Sequence, residues 1–374
     1  MLMRGTAALE KPAIGAAPQP DTRTMGRADG DCASQLFPDG LVRRLFRPWE
    51  DARGVVLAVS GGPDSVALML LAARWRKLLA APPPVSVATV DHRLRANAAQ
   101  EAALAAEWAR ALSLPHATLP WEGVKPKTRI QERAREARYE LLFRYASTIG
   151  ANCVLTAHHA DDQAETILFR LLRGSGISGL AGMERICARQ GVILARPLLD
   201  YAKADLIAYC EAKDHPNIED PSNDDPAYAR TRLRQLADVF AREGLDRAAL
   251  IRLGRRAARA EAALAARARA VRTGLAARRE PGRFSADLSA LKDEPEEILL
   301  RLLACELKLA GSGRTVRLER LEVLAARLAE ALRAGTGFRA TLGGTVLELK
   351  INHTLVIVKE GPRRAPSQNV LPLP

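Results

Sequence analysis

The stretch VVLAVSGGPDS at residues 55–65 constrains the fold of this chain more than any other segment. Five consecutive apolar residues, Val55 to Val59, are typical of a strand that is buried on both faces of a parallel sheet. The run ends at Ser60-Gly61-Gly62, and a segment that favours a helix begins at Val66. The glycines therefore lie at a strand-to-helix turn, with Pro63 near the first helical position.

A turn of this kind binds anions, because main-chain N–H groups and the helix N-terminus face the same point. Ser60 and Ser65 can add hydroxyl donors. Asp64 suits such a site only if a cation accompanies the anion, and Mg²⁺ shared between Asp64 and the phosphate oxygens of a nucleotide meets that need. The alternative is an ordinary βα turn with two glycines. The string has neither the lysine of a Walker loop nor the spacing of a dinucleotide-binding fingerprint.

Polar clusters follow two later strands as well. The segments 85–90 and 153–157 are predicted strands, and helical patterns over 98–112 and 128–145 alternate with them. This alternation predicts an α/β fold with a mostly parallel, doubly wound sheet. Three polar clusters stand at strand ends: Ser60 to Ser65, Asp91 to Arg95 and His158 to Glu165. Ligands of such sheets bind beside the carboxyl ends of the strands, so we expect one active site there, although βα loops are polar in any case.

The acidic residues Asp161, Asp162 and Glu165 lie in the first turn of a predicted helix. Three interpretations stay open. The carboxylates cap the helix and stabilise its dipole, they bind a metal ion together with His158 and His159, or they bind a cationic amine. Adjacent histidines do not share a helical face, which disfavours the metal site.

A glycine-rich loop follows this helix at 174–183, and it serves either as a linker or as a backbone that approaches a ligand closely. Further on, Arg230 and Arg232 stand at alternating positions after a turn. Guanidinium groups suit phosphate, and a solvent-facing segment is the alternative.

The charge and cysteine content narrow the class of function. Lys and Arg number 56 against 43 acidic residues, for a net charge of +13 and a pI of about 10.0. This balance favours a polyanionic partner, nucleic acid before a membrane surface, although Ala/Arg-rich helices alone would produce it. The five cysteines form no C-x-x-C pair, which disfavours a disulfide framework or an iron–sulfur site. The sequence contains no apolar run of membrane-spanning length, so we expect a cytoplasmic protein without membrane partners.

The string SGGPDS at 60–65 resembles the PP-loop of the N-type ATP pyrophosphatases, which split ATP between the α and β phosphates. A closer resemblance, to the tRNA(Ile)-lysidine synthetase family, covers roughly residues 54–236. It is carried by DHRLR at 91–95, QERAREARYELL at 131–142, TAHHADDQAETILFRLLRGSGISGLAGM at 156–183, RPLL at 196–199 and DPSNDDPAYARTRLR at 220–234. The chain departs from the family pattern at Thr231, where the family usually has Asn.

The resemblance implies an adenine nucleotide α hydrolase-like PP-loop domain that uses ATP, Mg²⁺ and free L-lysine to convert cytidine 34 in the CAU anticodon of tRNA(Ile) to lysidine. The nucleotide-binding residues that it implies are Ser60, Gly61, Gly62, Pro63, Asp64, Ser65, Asp91 and His92, with Asp64 as the magnesium ligand. The catalytic and lysine-binding candidates are Asp64, Asp161, Asp162 and Glu165. The candidates for contacts with substrate, tRNA and phosphate are His158, His159, Arg138, Arg173, Arg230 and Arg232.

The predicted domains are a disordered tail at 1–35, a catalytic domain at 36–236, a helical linker arm at 237–290, a small α+β domain that contacts tRNA at 291–361 and a tail at 362–374. Two other functions agree less well with the sequence. Another PP-loop tRNA-modifying enzyme, such as a thiolase, would use paired cysteines that this chain lacks, and a basic tRNA-binding protein without catalysis would not need the acid cluster. The sequence leaves open the oligomeric state, a homodimer included, and the means of telling tRNA(Ile) from tRNA(Met).

Overall fold

The protein is described from a computed structural model of the chain. The structure describes residues 32–93, 97–123, 125–126, 128, 130–218, 232–233, 236–311 and 316–361. These residues form two compact units. Unit 1 contains the described residues of Met1–Gly174 and Ala181–Gly254, and unit 2 contains those of Ser175–Leu180 and Arg255–Pro374.

Unit 1 is built on a six-stranded sheet with the strand order β3-β2-β1-β4-β6-β5. The strands are β1 (Val55–Ala58), β2 (Val85–Asp91), β3 (His116–Pro120), β4 (Cys153–Leu155), β5 (Ile186–Arg189) and β6 (Val192–Ala195). Neighbouring strands are parallel except for β5, which pairs antiparallel with β6 at the sheet edge. The predicted mostly parallel sheet is confirmed.

The helices of unit 1 include α1 (Cys32–Leu36), α2 (Asp39–Phe46), α3 (Pro63–Lys77), α4 (Ala98–Ala111), α5 (Ile130–Thr148), α6 (Ala160–Leu171), α8 (Lys203–Ala212) and α9 (Ala237–Arg242). One of them packs on each face of this sheet, α3 on one and α5 on the other. In β1, Val55 and Leu57 pack into the core that contains α3, whereas Val56 packs into the core that contains α5. Alternate residues of one strand thus enter opposite cores, which explains why β1 is apolar throughout.

The topology determines where a ligand can bind. Strand β1 pairs with β2 on one side and with β4 on the other, and the order of connection reverses between β1 and β4. Ligands of doubly wound sheets bind at such a switch point, beside the carboxyl ends of the strands. The two segments that meet there are the PP-loop after β1 and the histidine–acid segment after β4.

Unit 2 contains an antiparallel sheet with the order β7-β8-β11-β10-β9. Its strands are β7 (Ala277–Glu280), β8 (Arg283–Asp287), β9 (Phe338–Leu342), β10 (Thr345–Leu349) and β11 (Thr354–Lys359). Helices α11 (Glu296–Ala310) and α12 (Leu318–Ala334) pack on it, and unit 2 also holds the short helix α7 (Ile177–Leu180). Glu306 is buried in this unit, where Oε1 accepts hydrogen bonds from Arg272 Nε at 2.6 Å and Arg279 Nη2 at 3.0 Å.

Two boundaries differ from the predictions. Residues 32–36, at the end of the predicted tail, form α1, because Ala33 and the following Phe37 are buried in the core of unit 1. In the predicted linker arm, helix α10 (Arg247–Gly274) is present, but the residues after it form β7 and β8. Phe284 and Ala286 of β8 alternate into the core of unit 2, a period-2 pattern too short to stand out in the sequence. The tail at 362–374 lies outside the described residues.

In the described parts of the chain, no helix combines the length and the apolar character that a membrane span requires.

Candidate active site

The PP-loop begins where β1 ends and closes at the first turn of α3. Gly62 is the N-cap of α3, with φ −67° and ψ 159°, and Pro63 occupies the first helical position, where its missing N–H costs nothing. Ser60 is exposed, whereas Ser65 is 6% exposed. The predicted strand–turn–helix geometry is therefore present, and the N-terminus of α3 faces the carboxyl edge of the sheet.

Ser65 shapes this loop from within. The backbone N–H groups of Ser60 and Gly61 both donate to Ser65 Oγ at 3.1 Å, and the Ser65 hydroxyl donates to the carbonyl of Gly62 at 2.9 Å. We expected Ser65 to donate to a phosphate, but its hydroxyl proton is engaged inside the loop. The sequence could not distinguish these two uses of the same hydroxyl.

Gly61 has a left-handed backbone with φ +93° and contacts the segment that follows α8. Its carbonyl accepts the N–H of Ile218 at 2.9 Å, and a Cβ at position 61 would lie only 2.4 Å from Ile218 Cδ1. A side chain at this position is therefore excluded both by conformation and by space. Beneath the loop, the buried Cys210 thiol donates to the carbonyl of Pro63 at 3.4 Å, and burial raises the pKa of Cys210 to about 12.

Asp64 connects the PP-loop to the segment after β4. Its Oδ2 lies 3.4 Å from Nε2 of His159, whereas its Oδ1 is buried and has no hydrogen-bond partner. A buried carboxylate oxygen without a donor fits a cation, and Mg²⁺ is normally held by one or two carboxylates together with phosphate oxygens. The residues present therefore fit the predicted ion. Among the described residues, no group of three or more His, Cys, Asp and Glu side chains is arranged to hold a metal ion.

His159 is the N-cap of α6 and is 4% exposed. Its Nδ1 lies 3.6 Å from Asp161 Oδ2, and its Nε2 lies 3.5 Å from Asp162 Oδ2. Burial alone lowers the pKa of His159. Hydrogen bonds to Asp161 and Asp64, together with the charge of Asp162, outweigh burial and raise this pKa to about 10. The surrounding carboxylates thus favour the protonated form of this ring, which lies between the PP-loop and the acid cluster.

Asp161 already has several donors around it. Its Oδ2 accepts the backbone N–H of Lys203 at 2.8 Å, and Arg247 Nη1 lies 3.0 Å from Oδ1 and 3.2 Å from Oδ2. Burial alone would raise the pKa of this carboxyl, but the donors of His159, Lys203 and Arg247 hold it well below its usual range. Asp161 thus connects α6 to α8 and to the start of α10 through its hydrogen bonds, as an ionised carboxylate.

The other two acids occupy the same end of α6. Asp162 Oδ2 accepts the backbone N–H of His159 at 3.2 Å, so this residue caps the helix as one interpretation predicted. Its side chain is 23% exposed, which leaves it accessible to solvent. Glu165 follows three residues later, on the same helical face, and is half-buried.

His158 belongs to a different environment from its neighbour. Its Nδ1 lies 2.8 Å from Thr156 Oγ1. Burial lowers the pKa of His158 well below its usual value, and the charges of three arginines lower it further. These arginines are Arg196, Arg138 and Arg135. The charge of the predicted residue Arg138 thus acts on His158, and this basic environment disfavours protonation of the ring.

Comparison with known proteins is consistent with this arrangement. Residues 39–239 match the family model of the PP-loop domain. The tRNA(Ile)-lysidine synthase of Methylobacterium sp. (strain 4-46) is 49% identical over 344 residues, which cover 89% of this chain and 98% of that protein. The namesake of Methylobacterium nodulans is 50% identical over 342 residues, which cover 90% and 99%.

The chain belongs to the tRNA(Ile)-lysidine synthase family.

The U34-tRNA thiolase NcsA of Methanococcus maripaludis, solved with its [4Fe-4S] cluster, has a similar fold. The TM-score is 0.50 at 15% sequence identity, and the match covers 60% of this chain and 79% of that one. Similarity at this level shows the fold alone, so it lends no support to the thiolase alternative.

In this member of the tRNA(Ile)-lysidine synthase family, Asp91 and His92 also reach the carboxyl edge of the sheet. Asp91 is the last residue of β2, and its Oδ1 accepts the backbone N–H of Arg93 at 2.8 Å. The ring of His92 meets Trp121 edge to face, with a centroid distance of 5.9 Å. Asp91 ends the strand next to β1 and His92 follows it, so their role on the nucleotide side of the site stays a prediction.

Of the remaining predicted arginines, Arg173 lies away from the cluster. Arg173 lies beyond the far end of α6, roughly 18 Å along the helix from Asp161 at 1.5 Å per residue, and its guanidinium lies 4.0 Å from the centre of the Phe169 ring. Arg232 is exposed. Arg230 lies outside the described residues.

Several residues of this family member escaped the sequence analysis. Arg247, Ile218 and Gln163 contact predicted site residues or their loops. Gln163 lies inside the quoted stretch at 156–183, so its amide could have been considered. Nothing in the sequence distinguishes Arg247 from the other arginines of its helix. The close approach at Gly182 is to Gln163 and requires no ligand.

Proposed function

We propose that the chain ligates free L-lysine to C2 of cytidine 34 in the CAU anticodon of tRNA(Ile) and converts ATP to AMP and pyrophosphate. The observation that carries this proposal is the 3.4 Å contact between His159 Nε2 and Asp64 Oδ2. It supports the proposal because the PP-loop, which we assign to polyphosphate, lies beside an acidic helix terminus in a chain of this family. A reaction that first uses ATP and then an amine needs these two half-sites side by side.

In the first step, the 2-oxo oxygen of the cytosine attacks the α phosphate of ATP. The bond from the α phosphorus to the bridging oxygen breaks, and pyrophosphate departs. The PP-loop supplies the N-terminus of α3 for the polyphosphate, while the N–H groups of Ser60 and Gly61 maintain the shape of the loop through Ser65 Oγ. Asp91 and His92 line the nucleotide side. Mg²⁺, where bound, neutralises polyphosphate charge, and Asp64 would hold it through the buried Oδ1 that lacks a donor.

In the second step, the ε-amine of lysine attacks C2 of the adenylated cytidine, the C2–O bond breaks and AMP departs. The amine must first lose its ammonium proton to a base. We assign the binding of the amine to Asp162 and Glu165. Asp161 supports them from the same turn, because Arg247 and the Lys203 amide already engage its oxygens.

The tRNA backbone binds outside the catalytic site, and only the target base enters it. The base must leave its stack to reach the α phosphate. Arg138 beside His158, together with Arg173, Arg230 and Arg232, is assigned to phosphate groups, which accept the forked donors of guanidinium. ATP, free lysine and tRNA occur together in the cytoplasm, where we place the reaction. A homodimer stays a prediction, and sedimentation of the purified protein would test it.

The test combines the purified chain with ATP, radiolabelled lysine and a CAU-anticodon tRNA(Ile) transcript. We expect label in the tRNA, with one AMP and one pyrophosphate released for each lysine transferred. A transcript with U34 should accept no label, and Asp64→Ala should release pyrophosphate far more slowly. Incorporation that is independent of C34, or no incorporation by an active preparation that hydrolyses ATP, would refute the proposal.

A further inference from the structure

Arg196 is a buried cation that has no acidic partner. It directly follows β6 and opens the RPLL segment, to which the proposed reaction assigns no role. Arg196 is 5% exposed, and no carboxylate of the described residues forms an ion pair with its guanidinium. Its Nη1 donates to the Glu184 carbonyl at 2.6 Å and lies 3.9 Å from Cys187 Sγ, whereas its Nε is buried without a partner. Because an uncompensated buried charge is costly, such a residue indicates an anionic ligand.

This guanidinium lines a cavity of about 980 Å³ between α5 and the β5–β6 hairpin. Nη2 of Arg196 makes no hydrogen bond to a described residue and, unlike Nε, is not enclosed, so it is the donor available to a ligand there. The acids in the cavity wall are exposed residues of α5, and two of them pair with other arginines: Glu136 with Arg133 at 3.1 Å and Glu140 with Arg144 at 2.8 Å. The volume is sufficient for a group of nucleotide size.

A second polar group without a partner lies in the wall of the same cavity. Tyr139 is 8% exposed, and its hydroxyl is buried with no hydrogen-bond partner among the described residues. Arg135 and Arg138 lie 5.2 and 5.6 Å from the centre of its ring. The charges of Arg135, Arg138 and Arg196 all act on His158. Positive charge and an unused hydroxyl are thus collected in one region, and buried polar atoms are seldom left unpaired when the ligand is bound.

We propose that this cavity is an oxyanion-binding site, in which Arg196 supplies the charge and Tyr139 a hydroxyl, and that its ligand is a phosphate group of the tRNA backbone. The inference rests on the proposed function, which makes tRNA the polyanionic substrate. Guanidinium presents forked donors that match phosphate. ATP and the carboxylate of lysine also carry oxyanions. Among the described residues, however, the cavity wall contains neither a PP-loop residue nor an acid of the cluster after β4, which favours the tRNA.

The first test is Arg196→Met, which replaces the cation with an apolar chain. The dissociation constant of a tRNA(Ile) transcript is measured by filter binding over a series of salt concentrations. We expect it to rise about 10–100-fold, the value for lost hydrogen bonds to a charged group. The slope of log Kd against log salt should fall by roughly 0.7–0.9, which corresponds to one phosphate contact. Arg53→Met, an exposed change before β1 at the opposite edge of the sheet, should leave both quantities unchanged.

The second test, Tyr139→Phe, separates binding from a structural role. It removes only the hydroxyl, which has no hydrogen bond to lose in the free protein, so thermal unfolding without tRNA should occur at or above the wild-type temperature. Binding of tRNA should weaken about 2–10-fold, the value of one ordinary hydrogen bond. A hydroxyl with a purely structural role would give the reverse, a loss of stability with unchanged tRNA binding, and that result contradicts the inference.

Two small ligands identify the source of the oxyanion. The measurements are ATP binding without tRNA and the preference for lysine over cadaverine, which lacks the carboxylate. If Arg196→Met lowers either one while tRNA binding stays at the wild-type value, the oxyanion belongs to a small substrate and the inference is wrong. Wild-type tRNA affinity and salt slope in both variants would also overturn it.

The outcomes for the wild type keep the two proposals apart. If Arg196→Met fails to fold in a thermal unfolding assay, Tyr139→Phe decides. Lysine transfer by the wild type, with tRNA binding unaltered in the variants, refutes this inference alone. A wild type that binds the transcript but transfers no lysine refutes the proposed reaction, whereas the binding measurements still decide whether the cavity holds phosphate.

Discussion

The left-handed glycine of the PP-loop leads to a quantitative prediction for Gly61→Ala. A non-glycine residue forced into such a conformation costs about 1–3 kcal/mol. The new Cβ would also lie 2.4 Å from Ile218 Cδ1, so that side chain must move, which adds about 1–3 kcal/mol of overpacking. Alanine returns about 0.4–1 kcal/mol by restricting the unfolded chain. We expect a net loss of about 3 kcal/mol in the free energy of unfolding.

The adjacent glycine provides the matched control. Gly62 has φ −67°, and a Cβ there would meet nothing closer than 3.9 Å. Alanine is a poorer N-cap than glycine, but its lower entropy in the unfolded chain offsets this, so Gly62→Ala should lie within about 0.5 kcal/mol of the wild type. Urea unfolding monitored by circular dichroism measures both variants.

A double-mutant cycle separates the two contributions to the loss. Ile218→Ala removes the steric contact but leaves the backbone conformation unchanged. The double variant Gly61→Ala/Ile218→Ala should therefore be more stable than the sum of the single losses predicts, by about 1–2 kcal/mol. Equal stability of Gly61→Ala and Gly62→Ala, or strict additivity in the cycle, would refute the reasoning about this loop.

Three further predictions concern other residues. Burial holds the pKa of His158 in the folded protein well below its usual value, whereas in the unfolded chain the ring binds a proton below about pH 6.5. The free energy of unfolding therefore falls as the pH falls from 6.5 to 5.5. His158→Gln should reduce this pH dependence, measured in urea titrations, by up to about 1.4 kcal/mol per pH unit. Ser65→Ala removes the acceptor of two loop N–H groups and should raise the KM for ATP about tenfold in a pyrophosphate-release assay. Glu306→Gln should destabilise unit 2 by about 1–3 kcal/mol in urea unfolding, because it weakens the bonds from Arg272 and Arg279.

Each of these predictions has an outcome that contradicts it. An unchanged pH slope in His158→Gln would mean that the ring titrates normally in the folded protein. A Ser65→Ala variant with a wild-type KM for ATP would mean that the loop keeps its shape without the hydroxyl. Glu330→Gln, an exposed change in α12, is the control for Glu306→Gln and should stay within about 0.5 kcal/mol of the wild type.

Local pattern was sufficient to predict the main architecture of unit 1. The apolar run of β1, the turn chemistry of Ser60-Gly61-Gly62 and the alternation of strands and helices are short-range features, and each is readable from a few consecutive residues. The parallel sheet follows from them because right-handed crossovers leave few alternatives. Strands β7 and β8 were missed because their alternation is brief and because β8, with which β7 pairs, is joined to the rest of its sheet by a long-range pairing with β11.

The sequence by itself determined which residues lie at the strand ends, because short-range patterns of apolar, glycine and polar residues specify the order of strand, turn and helix. Only the tertiary structure decided what each side chain does there. The pKa of His159 is raised in part because Asp64 approaches its Nε2 from the PP-loop, a segment far from it in the chain. Asp161 became an anchor because Arg247 lies 86 residues away in the chain but 3.0 Å away in space. Charge states and hydrogen-bond partners depend on such distances, which no local pattern encodes.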